Sequence, residues 1–240
     1  MAYTYLDITN EVLARMNEVV LTSSGFSSAR GFQVQCKNAV NDSINFINHR
    51  EFNWPFNHTT GSETLVAGTS RYSIPTTAKT VDYGTFRLVK DSTLGSNGGG
   101  LAVLDYKEYV DRYIDQEDDT TVQGGVPRYI VRTPDNNYLL YPYPNKAYTL
   151  KYEYYNNTVP LSVSTDVPGI PELYRAVIAD GATAYAYQYR GETDQYQVNW
   201  SRFNDGITDM QSILSNRFDY VRSAVVLRTG TNTSVFPSVV

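Results

Sequence analysis

Cysteine is nearly absent from this chain: Cys36 is the only one, and His49 and His58 are the only histidines. A single thiol excludes a disulfide scaffold and a multi-thiolate metal site, and two imidazoles exclude a three-histidine metal centre within one chain. Basic charge is also scarce. Twenty Lys plus Arg stand against twenty-five Asp plus Glu, a net charge of −5 with no basic arm. Counterion release therefore cannot drive tight wrapping of nucleic acid. Apolar runs are only a few residues long, and the opening MAYTYLDITNEVLARM has neither a basic n-region nor an apolar h-region. Neither a secretion signal nor a membrane span is expected.

What the chain has in excess is tyrosine, twenty-one in 240 residues. Tyrosine suits half-buried positions in sheets and interfaces, where the ring packs and the hydroxyl stays wet. Periodicity places these rings. Residues 4–20 read as a first helix, with Ile8, Val12, Met16 and Val19 on one stripe and Asp7 and Glu11 near its positive end. A second helix, with Ser28 as its N-cap, carries Phe32, Cys36, Val40, Ile44 and Ile47, and Pro55 stops it.

Beyond Pro55 the period shortens to two, in segments bounded by Gly, Pro and Asn, which predicts an antiparallel β region. Its clearest hairpin joins 129–132 to 138–141 across TPDNN. Tyr148, Leu150, Tyr152 and Tyr154 then share one face of a following strand. Between strands, 105–119 reads as a short helix with Tyr106, Tyr109, Val110, Tyr113 and Ile114 inward and an acidic outer face.

Helical spacing returns after Gly169. Pro171 opens a helix with Tyr174, Val177, Ile178, Ala182 and Tyr185 on its stripe. The most regular stretch follows, with Tyr196, Trp200, Phe203, Ile207, Met210 and Leu214 at alternating steps of four and three, an a/d seam. From about Ser223 the sequence has valines but no helix period, and reads as an extended arm that packs on something else.

The fold class expected is α+β: an antiparallel helical bundle from 1–57 and 168–220, a large inserted antiparallel β domain at 58–167, and an extended C-terminal arm at 221–240.

Catalytic chemistry has little to work with. Cys36 lies on an apolar stripe, and His49 is thirteen residues along the same helix, about 20 Å away at 1.5 Å per residue, so the two cannot form a Cys-His pair. Asp111 with Asp115, and Asp205 with Asp209, share helical faces, but same-face acids are ordinarily a solvated surface. Glu117, Asp118 and Asp119 lack the spaced oxygens and the glycine of a calcium loop. The run SNGGG at 96–100 has no following GK[ST], and reads as a flexible loop rather than a phosphate cradle. No catalytic residue, cofactor or metal site is expected.

Two blocks carry a family likeness: NAVNDSINFINHREFNWPFN at 38–57, and the stretch from GVPRYIVRTPDNNYLLYPYP through IPELYRAVIADGATAYAYQYRG to 197. They resemble the head-to-tail adaptor proteins of short-tailed bacteriophages, the family that includes tail tubular protein A. The first block resembles that family's long helix ending in an asparagine and aromatic corner, here Asn48, Arg50, Phe52, Trp54 and Phe56. The second resembles its P-x-Y strand, its proline-rich aromatic turn, and the helix opened by Pro171 and Leu173. The long β insertion and the loop at 92–100 depart from that pattern.

The resemblance implies a non-enzymatic virion protein, made in the host cytoplasm and placed at the head-tail junction. It implies a twelve-subunit ring beneath the portal, contacts to a tail nozzle or tail-tube protein, and double-stranded DNA passing through without sequence recognition. Another neck or tail-tube connector, or a carbohydrate-active tail component, are the alternatives. Residues expected to serve assembly and packing are Trp54, Phe56, Tyr129, Tyr174, Tyr196, Trp200, Phe203 and Ile207. Val225, Val226, Leu227, Val235 and Phe236 are expected to bind portal or a neighbour through the arm.

Overall fold

The computed structural model describes residues 3–51, 53–117 and 124–214. It is a mixed α+β structure whose described residues form two compact units. One gathers the described parts of 1–43, 163–167 and 171–240, and the other those of 44–162 and 168–170. The arm residues from Val225 to Phe236 lie outside the described residues.

In the first unit, helix α1 (Tyr5–Arg15) opens with a capping box. The Thr4 hydroxyl accepts from the Asp7 amide, and the Asp7 carboxylate accepts from the Thr4 amide at 2.9 Å. Ile8, Val12 and Leu13 are fully buried. The helix stops five residues before its expected end at 20: Met16 is the C-cap, Asn17 turns left-handed at φ 55°, and Val19 is 75% exposed rather than on the stripe.

Helix α2 (Phe32–Arg50) also starts later than its sequence suggests, because Ser28 belongs to a turn closed on Gly25. Gly31 holds φ +56°, a conformation that glycine adopts without a Cβ penalty, so regular helix begins only after it. Helices α4 (Arg175–Arg190) and α5 (Thr193–Leu214) meet at Gly191. Gly181 marks the tightest approach. A Cβ there would sit 2.4 Å from the Ser43 Oγ of α2 and 2.6 Å from the Phe203 ring of α5, so only glycine lets these helices pack this closely. The Ser43 hydroxyl donates to the Ile178 carbonyl at 3.0 Å, which satisfies a buried polar group at that contact.

The second unit contains two four-stranded sheets. The first, in order β1-β8-β3-β4, is built from β1 (His58–Thr64), β8 (Thr149–Asn156), β3 (Ala78–Leu88) and β4 (Gly99–Gly100). The second, in order β2-β7-β6-β5, is built from β2 (Arg71–Tyr72), β7 (Tyr138–Tyr141), β6 (Tyr129–Arg132) and β5 (Ala102–Leu104). The expected hairpin is present with Tyr129 opposite Tyr141 and Arg132 opposite Tyr138; Asn136 takes the left-handed position at φ 61°.

The β region is not wholly antiparallel, since β5 pairs with β6 in parallel. Alternation sorts the hairpin's side chains. Ile130, Tyr138 and Leu140 enter a core shared with Phe86, Leu150 and Tyr152, while Val131 and Leu139 face Tyr109 of helix α3 (Tyr106–Tyr113). Both faces of β6 and β7 are therefore covered. The segment before β4, expected as a flexible loop at 96–100, carries its own hydrogen bonds, and its last two residues form β4. Asp91 and Ser96 exchange main-chain hydrogen bonds, Ser96 is buried with its hydroxyl on the Val89 carbonyl at 2.9 Å, and Gly99 and Gly100 pair with Leu88 and Arg87.

Candidate assembly site

The aromatic corner after α2 is the most tightly determined of the expected site regions. A helix leaves its last carbonyls without intrahelical partners, and here other side chains meet them. The Trp54 indole N–H donates to the Ile47 carbonyl at 2.8 Å, and Lys79 of β3 donates its ammonium to the Asn48 carbonyl and, at 3.0 Å, to that of Glu51. The Asn57 amide donates to the Asn48 side-chain oxygen at 2.6 Å, and Asn48 in turn donates to the Ile44 carbonyl at 2.8 Å. Trp54 is 1% exposed and stacks on half-buried Phe56 at 5.5 Å. Burial lowers the Lys79 pKa, against the pull of the Glu51 carboxylate. Sequence reasoning missed Lys79, because nothing local links a lysine on a strand to a helix end 28 residues earlier.

On α5 the seam divides. Phe203, Ile207 and Met210 are buried, while Tyr196 and Trp200 are half-buried and stacked at 5.7 Å, with the Tyr185 ring edge-on to Trp200 at 5.8 Å. Tyr174 is buried at the start of α4. Tyr129 is the exposed member of the expected set, at 36%, on a strand whose two central residues, Ile130 and Val131, are buried.

The groups with chemical potential are committed elsewhere. Asp111, Asp115, Asp205 and Asp209 are exposed, and among the described residues no three or more His, Cys, Asp or Glu side chains converge as a metal site. Glu117 accepts from Arg71 at 2.6 and 2.8 Å, from Ser70 at 2.8 Å and from Tyr109 at 3.3 Å. The Arg71 guanidinium above all holds its carboxyl below the ordinary range. Asp118 and Asp119 lie outside the described residues. His58 pairs with Glu153 at 3.3 Å, and His49 is exposed in the last turn of α2.

The Tyr138 hydroxyl donates to Glu63, and burial raises its pKa strongly. Cys36 is fully buried, and that burial pushes its thiol up to about 12. A thiol reagent such as Ellman's is accordingly expected to leave native Cys36 unmodified and to titrate one thiol on denaturation. Prompt reaction of the folded chain would contradict the packed position.

Among the described residues these side chains build helix caps and packed cores. The chain matches the SU10 adaptor protein family over residues 3–228 and belongs to that family of phage head-to-tail adaptors. It is a structural adaptor protein of a bacteriophage, and membership implies a place in the virion neck. The resemblance read from the two sequence blocks is borne out. No curated protein matches the chain. No described helix is long and apolar enough to cross a membrane.

Proposed function

We propose that copies of this chain form a ring beneath the portal, join capsid to tail, and leave a channel for DNA. The family match across nearly the whole chain carries this reading. The helices at both ends of the sequence form the ring's bundle, the β insertion serves the tail side, and the chain acts by assembly rather than by catalysis. A cyclic ring needs two different complementary faces on each copy. Half-buried Tyr196 and Trp200, exposed Tyr129 and the arm residues Val225, Val226, Leu227, Val235 and Phe236 are assigned to those faces, and Trp54, Phe56, Tyr174, Phe203 and Ile207 to the packing behind them.

Each copy contributes a net charge of −5, so the ring as a whole is anionic and does not grip phosphates; DNA passes without being read. Twelve copies are expected, matching a portal ring above and a tail nozzle or tail-tube protein below. Native mass spectrometry of the purified protein, alone and mixed with portal, tests this. A closed ring that adds to portal is the expected result, and a chain that remains monomeric with portal present would overturn it.

A further inference from the structure

Strand β1 (His58–Thr64) is an edge of its sheet, and among the described residues β8 is the only strand beside it. The Leu65 amide donates to Tyr148, the next pair in the β1–β8 register. Hydrogen-bonded pairs alternate along an antiparallel ladder, so Thr59, Gly61 and Glu63 turn their main-chain groups to β8, and Thr60, Ser62 and Thr64 turn theirs away. The latter three are exposed.

Natural edges are blunted by lysine, proline, bulges or short length. This one has seven residues, HTTGSET, without lysine or proline, and its register with β8 runs unbroken. Its single carboxylate, Glu63, accepts a hydrogen bond from the buried Tyr138 hydroxyl. Gly61 sits against the Tyr152 ring, where a Cβ would meet it at 2.6 Å, which holds the strand flat on its own core.

We propose that β1 is a strand-addition site for residues 223–229 of a second copy. The other sheet edges cannot fill it: β2 and β4 have two residues each and β5 has three. The stretch SAVVLRT at 223–229 matches β1 in length, is rich in β-branched residues and contains neither glycine nor proline. The family match runs through residue 228, so this stretch is nearly all within what the family shares. Added as a strand, it gains main-chain hydrogen bonds from Thr60, Ser62 and Thr64.

This rests on the assembly reading above, and the test separates the two. Full-length chain carrying Ser62→Cys is mixed with affinity-tagged full-length chain carrying Val226→Cys, with buried Cys36 left in place, and particle mass is measured on the same samples. A disulfide between 62 and 226 across copies is expected. Ser62→Pro, which removes an outward N–H that β8 does not use, is expected to abolish the pairing while leaving thermal unfolding unchanged.

Should Ser62→Pro fold poorly, a 221–230 peptide is expected to compete with cross-linking, and the same peptide with alternate amides N-methylated is expected not to. A ring that forms without the 62–226 link, or Ser62→Cys chains linking only to each other, overturns the strand proposal and leaves the ring reading standing. A wild-type chain that never assembles overturns both.

Discussion

Trp54→Ala is expected to lower the free energy of unfolding by about 3 to 5 kcal/mol, the range for removing a buried large aromatic. The ring is 1% exposed, so its loss leaves a cavity beside Phe56, and the Ile47 carbonyl at the end of α2 loses the indole donor at 2.8 Å. Trp54→Phe separates the two effects. It keeps most of the ring volume while removing the hydrogen bond, and should cost about 1 to 2 kcal/mol. Urea unfolding of the three proteins, compared by midpoint at constant slope, measures both. An unchanged midpoint for the alanine variant would mean that this corner contributes nothing to stability.

A second large effect is expected on α5. Ile207 is 1% exposed and Phe203 is fully buried, so Ile207→Asp or Phe203→Asp places a carboxylate inside the packed core. Either substitution should cost about 4 kcal/mol or more, enough to unfold a marginally stable unit. Gln197→Asp and Ser201→Asp, on the exposed side of the same helix, should change stability by no more than about 0.5 kcal/mol. Trp200→Asp should fall between, because that ring is half-buried against Tyr185 and Tyr196. Circular dichroism melts and sizing chromatography report the contrast, and five variants that behaved alike would contradict the buried stripe.

Much of this was legible in the sequence because burial imposes a period. Steps of three and four chose Phe203, Ile207 and Met210 on α5, and steps of two chose Tyr148, Leu150 and Tyr152 for the β core. The TPDNN turn settled the register of the 129–141 hairpin, since turn length and a left-handed Asn136 leave little freedom to slip. The family, too, was readable from the order of two aromatic blocks.

Tertiary structure alone decided the rest, and in each case the cause is a contact between residues far apart in sequence. The apolar period of α1 continues to Val19, yet the helix ends at Arg15. Asn10 there holds the returning chain, accepting from the Leu21 amide at 2.7 Å and donating to its carbonyl at 2.9 Å. No local pattern shows that β5 joins β6 in parallel, because strand direction depends on the path of the intervening α3 segment rather than on alternation. Lys79, Arg71 and Glu63 read as surface charges by type, yet they cap a helix end, fix Glu117 and receive a buried tyrosine hydroxyl. The sequence determined which faces must be buried, since that is a matter of spacing along one element; which element covers each face, and which distant side chain satisfies the polar groups left there, is a matter of three-dimensional proximity that spacing does not encode.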